Sequence, residues 1–385
     1  METPLKTLLK RYLAVVGLLL CVQAWVCSAA ESLNLVRNPG FEAEGEWNLQ
    51  GGAARNDTHA SDGKWSVALP PKAGIVQDNI AACGIYGYDW NSDLLEPNRL
   101  RPGMVAGYAF DAACGDEAAP ATAYMRLCAD ASATAIEYWG GVPQIKVARR
   151  EFTRCQVAVR MTPSLALNGI GMGIGCYFAQ SGPKNAVLYL DNLSDIDILR
   201  PKLGISATAP IDLGRVKAGE TATSAPRSFF NSQPDTLTDQ REPGRPGQPV
   251  PTVLYGIARM QPSLQWKQLH LWGETDHVGA VIQGPDAVRF AFVSEHASTN
   301  GLELKLIGAD GQGGLKGGPE PERESWQLQF LGAQRPGAYG AVIRVVTQAG
   351  NVGTLSQGQT GEPPEHLWYV DIPVIAHVEN AGKVP

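Results

Sequence analysis

The chain has 385 residues, of which 18% are charged, and a formal net charge of −6. That length is enough for two domains with separate cores. The acidic balance argues against nucleic acid or an anionic membrane surface as partner, while a neutral polymer is unaffected by it. Glycine and proline make up 70 of the 385 residues. This exceeds ordinary usage without reaching a disordered composition, and it fits many turns between short strands. No long segment has helical periodicity, so the chain reads as all-β.

Residues 1–30 read as an export signal. Lys6, Lys10 and Arg11 give a positive start, residues 13–26 are apolar over a signal-like length, and Ser28-Ala29-Ala30 offers a small-x-small cleavage site. The mature chain is expected to begin near Glu31, and an uncleaved N-terminal anchor is the alternative. Removing the segment's net +2 leaves the mature chain near −8. The product is expected to be secreted, periplasmic or at the cell surface, where disulfides are permitted. Cys21 and Cys27 fall in the signal, whereas Cys83, Cys114, Cys128, Cys155 and Cys176 all precede residue 200. At least one disulfide is expected among these five, with connectivity open. The alternative is a set of buried thiols behaving as small hydrophobes.

The mature chain opens with Leu33-Asn34-Leu35-Val36-Arg37-Asn38-Pro39-Gly40-Phe41-Glu42, an apolar run entering an Asn-Pro-Gly turn. A second apolar run, Leu188-Tyr189-Leu190-Asp191-Asn192-Leu193-Ser194-Asp195-Ile196-Asp197-Ile198, comes much later. If the first and last strands lie side by side, Glu42 and Asp191 meet at one edge. Two carboxylates held close repel unless a proton or cation sits between them, and calcium is a natural oxygen-bound occupant. The alternative is two separate solvated acids. Asp62, in Ser61-Asp62-Gly63-Lys64-Trp65-Ser66-Val67, is either a third ligand or an ordinary Asp-Gly turn residue.

Further along, residues 83–93 carry Tyr86, Tyr88, Asp89, Trp90 and Asn91 among glycines, with no strand period. Residues 105–114 and 121–129 read as a hairpin. Residues 136–148 carry Tyr138-Trp139-Gly140-Gly141, and residues 152–161, 170–178 and 185–198 read as strands. Eight to ten strands suit a two-sheet jelly roll. Large aromatics on loops either plug the end of a sandwich or face a ligand. Facing one, Tyr86, Tyr88, Trp90, Tyr138 and Trp139 would offer flat rings for stacking, with Asp89 and Asn91 bonding its polar groups.

Arg200-Pro201-Lys202 marks a boundary between residues 31–199 and 200–385. Beyond it, strands at 227–231, 264–272, 288–294, 302–307, 326–331, 336–346 and 369–378 fit an immunoglobulin-like sandwich. Residues 233–251 and 310–324, rich in Pro, Gly and charge, read as long surface loops.

The opening Asn34-to-Glu42 motif with Trp47 behind it, the Ser61-to-Val67 piece and the close at 188–198 resemble, in that order and spacing, the family 4/9 carbohydrate-binding modules. Those are jelly-roll sandwiches of the galactose-binding-like class, and the resemblance covers residues 31–199. It implies a structural calcium at Glu42 and Asp191 with help from the turn at Asp62. It also implies Trp47 and Trp65 in the core, and a non-catalytic protein that binds a polysaccharide or oligosaccharide. The family often closes with two adjacent acids, and here the second position is Asn192. The remainder resembles exported immunoglobulin-like domains only generically, as a spacer or interaction module. The competing reading is a structural or adhesion protein of the cell envelope that binds protein partners. No Gly-x-Ser-x-Gly elbow, His-Glu-x-x-His helix or phosphate-binding glycine loop is present, and no segment is long enough for a separate catalytic domain, so no enzyme is expected. His270, Glu274, Asp276 and His277 have a spacing that suits no helical metal site, and Glu295-His296 reads as a solvated pair.

Overall fold

The computed structural model describes residues 36–83, 99–100, 103–128, 144–160, 173–240, 246–256, 278–309, 313–347 and 369–379. These residues are all-β, relieved only by a 3-10 turn at Ala287–Arg289.

The first half contributes β1 (Asn48–Gln50), β2 (Ala54–Asn56), β3 (Ser66–Leu69), β4 (Gly74–Cys83), β5 (Arg99–Leu100), β6 (Val105–Cys114), β7 (Ala121–Cys128), β8 (Gln144–Val147), β9 (Thr153–Arg160), β10 (Gly173–Gln180) and β11 (Leu188–Leu199). One sheet runs β1-β4-β10-β7-β8 with β5 beside β4, and the other runs β2-β3-β11-β6-β9. Let the strands be lettered B to I along the chain from β3, omitting the two-residue β5. The sheets then read C-H-E-F and B-I-D-G, the two interleaved halves of a jelly roll. The strand order alone assigns this fold. Between the sheets lie Phe41, Leu69, Ile75 and Phe110, all fully buried. Phe41 comes from the opening motif rather than from a strand, so the motif is part of the core.

The second half contributes β12 (Leu203–Ile205), β13 (Ile211–Lys217), β14 (Ala222–Thr223), β15 (Arg227–Asn231), β16 (Thr236–Asp239), β17 (Gln248–Pro251), β18 (Val253–Leu254), β19 (Val278–Gln283), β20 (Phe290–Val293), β21 (Glu303–Lys305), β22 (Leu315–Lys316), β23 (Arg323–Phe330), β24 (Gly337–Val346) and β25 (Tyr369–Glu379). One sheet runs β12-β15-β23, with β14 and β20 also paired to β23, and the other runs β13-β25-β24-β19-β21. Lettered A to G along the chain, these are A-B-E-D and G-F-C, the strand order of an immunoglobulin-type sandwich. Two strands extend it: β13 lies parallel to β25, and β21 lies beside β19. Alternation explains the pairing. On β25, Val370, Ile372, Val374, Ala376 and Val378 are buried, while Asp371, Pro373 and His377 face outward. Each buried Val or Ile contributes about 1.5–3 kcal/mol. Trp326 sits at the centre, 5.1 Å from Phe229 and edge-on to Phe292 at 5.4 Å.

Two segments depart from the sequence reading. Residues 233–251 contain a hairpin, β16 against β17, with Leu237 opposite Val250 and Thr238 opposite Pro249. Residues 310–324 contain β22 and the start of β23. Prolines at 249 and 251 remove ladder donors but are tolerated where a strand has a free edge, so composition pointed to a loop where a short ribbon forms. The strand expected at 264–272 lies outside the described residues.

Candidate functional site

The opening and closing motifs do meet. Leu193 N donates to Pro39 O at 3.0 Å, which ties the Asn-Pro-Gly turn to β11. A bulge in β11 makes the site possible. Asp191 pairs with Asp111 and Ser194 with Ala109, so two residues, Asn192 and Leu193, face one on β6. Asn192 takes a left-handed φ of 49° to fit. A bulge of this kind re-aims side chains. Here Leu193 is buried in the core, and Asp191, itself 0% exposed, meets the turn at 61–65.

That turn is held by two carboxylates, one at each end. Asp191 Oδ2 accepts from Ser61 N at 2.7 Å, Asp62 N at 3.2 Å and Ser61 Oγ at 3.0 Å, while Oδ1 accepts from Asn192 N at 2.7 Å. Glu42 Oε1 accepts from Lys64 N at 2.8 Å and Trp65 N at 2.9 Å. Successive backbone N–H groups aimed at an anion form a concave cradle, and this turn makes two. Gly63, with φ of +62°, occupies the position between them. Any Cβ there would overlap Glu42.

The network extends outward. Ser61 Oγ also reaches Asp111 Oδ2 at 2.8 Å. Arg154 on β9 donates to Asp111 Oδ1 (3.2 Å), Asn192 O (2.7 Å) and Ser194 Oγ (2.7 Å). On the other side, Arg55 donates to Phe41 O at 2.8 Å and Glu42 O at 2.9 Å. Asp111, Arg154 and Arg55 were not predicted as site residues, because their connection depends on strand register and the bulge. Of the two tryptophans expected in the core, Trp47 is there, 8% exposed, with Nε1 donating to Asn38 O at 3.0 Å. Trp65 is instead half-buried at the rim, with the Arg55 guanidinium 4.1 Å from its ring centre.

The backbone bonds from Trp65 and Lys64 hold Glu42 below the ordinary glutamate pKa. A depressed carboxylate supplies its stabilisation above the unfolded pKa and loses it as pH falls through the folded one. The exchange of the Lys64 and Trp65 amide hydrogens, relative to distant amides, is therefore expected to quicken on acidification below the usual glutamate range. Glu42→Gln should remove that pH dependence; an unchanged profile in the variant would assign it to another group.

Glu42 and Asp191, expected as metal ligands, thus converge on one turn, and Asp62 lies within it with its Oδ1 on Gly63 N at 2.9 Å. Among the described residues, no three His, Cys, Asp or Glu side chains converge to hold a metal ion. The acids grip N–H groups in this arrangement, so the fit to calcium is partial.

The other expected site residues, Tyr86, Tyr88, Asp89, Trp90, Asn91, Tyr138 and Trp139, lie outside the described residues. The strands that lead to them are described. Ala82 at the end of β4 sits opposite Gly173 at the start of β10, and Cys128 at the end of β7 sits opposite Gly175.

Cys114 and Cys155 carry free, buried thiols. Burial pushes Cys155 up to about 12 and also raises Cys114, which suppresses thiolate formation. Neither is bridged in this structure, and the side chains of Cys83, Cys128 and Cys176 lie outside the described residues. His270, Glu274, Asp276 and His277 lie outside the described residues. His296 is not the solvated residue expected: its Nδ1 is 2.6 Å from Oε2 of Glu324, a carboxylate only 3% exposed. Ser294 Oγ donates to the same carboxylate at 2.6 Å. The hydroxyl bonds the acid and not the imidazole, so this trio is no nucleophilic relay.

No family model matches the sequence, and no curated protein matches it. Among solved structures, the chain is similar to the CBM22-1 xylan-binding domain of Xyn10C from Paenibacillus barcinonensis, at 14% identity over 44% of this chain and 99% of that one, with a TM-score of 0.30. It is similar to a family 16 carbohydrate-binding module at 14% identity, 43% and 99% coverage and a TM-score of 0.28. It is similar also to the Stig cyclase Fisc from Fischerella sp. TAU, at 11% identity, 42% and 96% coverage and a TM-score of 0.28.

Proposed function

We propose that the protein is an exported, non-catalytic carbohydrate-binding protein that holds a neutral polysaccharide or oligosaccharide by aromatic stacking. The observation that carries this reading is the common end of β4, β10 and β7. Cys83 and Cys128 close the two strands that flank β10, at the same end of one sheet. The segments following them supply Tyr86, Tyr88, Asp89, Trp90 and Asn91 on one side and Tyr138 and Trp139 on the other. Two aromatic clusters far apart in sequence thereby follow strands that flank β10 at the same end of one sheet, which supports a single binding surface. Indole and phenol rings bury apolar C–H faces at little conformational cost, and adjacent amide and carboxylate groups satisfy hydroxyls. The motif resemblance at residues 31–199 supports the same reading. A glycan array probed with the mature protein tests it: capture of a neutral glycan is expected, and a blank array would remove it. Release of reducing sugar would replace it with an enzymatic one.

A structural calcium at the two-carboxylate turn is a separate part of the proposal. Glu42 and Asp191 would hold it, with Asp62 beside them, and its contribution would be charge neutralisation and rigidity rather than chemistry. A ligand that binds only the folded state stabilises it by mass action, by about 2.7 kcal/mol at one hundred times Kd. Chelator is expected to lower the melting temperature, and added calcium to restore it. An identical melting curve under both conditions would leave the turn held by its N–H bonds alone.

A further inference from the structure

The two sandwiches are joined by more than the chain between them. Gln240, just after β16, forms an antiparallel bridge with Gln156 on β9, its N–H donating to Gln156 O at 3.0 Å. Arg160 Nε, at the end of β9, donates to Pro251 O of β17 at 2.9 Å. Val253 N donates to Gly103 O, just ahead of β6, at 2.9 Å. On the second-sandwich side these groups belong to the β16–β17 hairpin or adjoin it. On the first-sandwich side they belong to β9 or the entry to β6. β16 also packs against β6 and β11, and residues from Leu35 onward form one compact unit.

A second observation is independent of these bonds. β9 is an edge strand. Cys155 and Val157 on it are buried toward the core, so alternation puts Ala158 on the outer face. An outer-face alanine on an edge strand would ordinarily be wet, yet Ala158 is 6% exposed. On β6, Phe110 faces the core, and its neighbour Ala109, on the opposite face, is 2% exposed. Small residues there permit close approach of another backbone, and the hairpin supplies it.

We propose that the β16–β17 hairpin is a strap that covers the outer face of the β6 sheet and locks the two sandwiches into one cooperatively folding body. The second sandwich is then no free spacer. Edge strands are a liability when left open, and the strap closes this one from within the chain. Residues 233–251, which composition marks as a loop, become the structural joint of the molecule. The proposal does not depend on any ligand.

The test is calorimetric unfolding of the full mature chain, with Ala158→Lys and Arg160→Ala as variants. Lysine at an outward position of an undocked edge strand is benign, but beneath a docked hairpin it forces the hairpin off. The wild type is expected to melt in a single transition, Ala158→Lys to melt in two resolved transitions, and Arg160→Ala to melt several degrees lower. Two independent transitions in the wild type, or an Ala158→Lys melt indistinguishable from it, would overturn the strap. Should Ala158→Lys fail to accumulate as folded protein, Arg160→Ala decides: an unshifted melt overturns the proposal and a lowered one supports it.

Discussion

Replacing Asn231 by aspartate is expected to cost about 3–5 kcal/mol, the range for a buried group left with an uncompensated charge. Asn231 is 0% exposed and every polar valence of its amide is engaged. Its Oδ1 accepts from Lys202 N (3.0 Å) and Gln233 N (3.2 Å). Its Nδ2 donates to Thr252 O (3.2 Å), Thr252 Oγ1 (3.0 Å) and Leu315 O (3.2 Å). One amide thus ties β15 and β22 to the residues just ahead of β12 and β18. Aspartate keeps the accepting oxygen and turns the donor into a second acceptor, aimed at two carbonyls. Desolvation and those carbonyls would raise its pKa, so the variant's deficit should narrow as pH falls and the acid becomes a donor. Denaturant unfolding at two pH values checks this. A deficit below about 1 kcal/mol at neutral pH would mean that the network rearranges freely around the site.

Asp191→Ala is expected to cost about 2–4 kcal/mol. Hydrogen bonds to a charged group contribute about 1.5–3 kcal/mol each, and donors left buried without a partner cost more. Asp191 receives N–H groups from Ser61, Asp62 and Asn192, and alanine strands all three. Asp191→Asn should be damaging too, because an amide NH2 must then face at least one of those donors. Glu42→Gln is expected to be milder, since Glu42 is exposed and water can replace it. Thermal melts of the three variants check the ranking. If Asp191→Ala matched Glu42→Gln, the bulge in β11 would not depend on its carboxylate.

The fold was legible where alternation is strong. The run at 369–378 is a strand whose apolar residues recur every second position, and its register follows from which face is buried. Glu42 and Asp191 were legible as partners because turn chemistry and a flanking apolar run mark each of them. The double grip on the turn at 61–65 was not, because it depends on the β11 bulge, and a bulge is a count of residues on two paired strands. Asp111 and Arg154 were hidden for the same reason, since each reads singly as a surface charge. The hairpin at 236–251 was hidden by its prolines and glycines, which carry loop statistics whether or not a ribbon forms. His296 was misread because its partner, Glu324, lies 28 residues away on β23.

The most direct test of the carbohydrate-binding reading is isothermal titration of the mature protein, Trp90→Ala and Trp139→Ala with the glycan captured on the array. Each truncation of a stacking ring is expected to weaken binding by about 2 kcal/mol, roughly thirtyfold, while the melting curve stays unchanged. Full affinity in both variants, with unchanged melting curves, would contradict it and put any ligand surface elsewhere than at the shared end of β4 and β7.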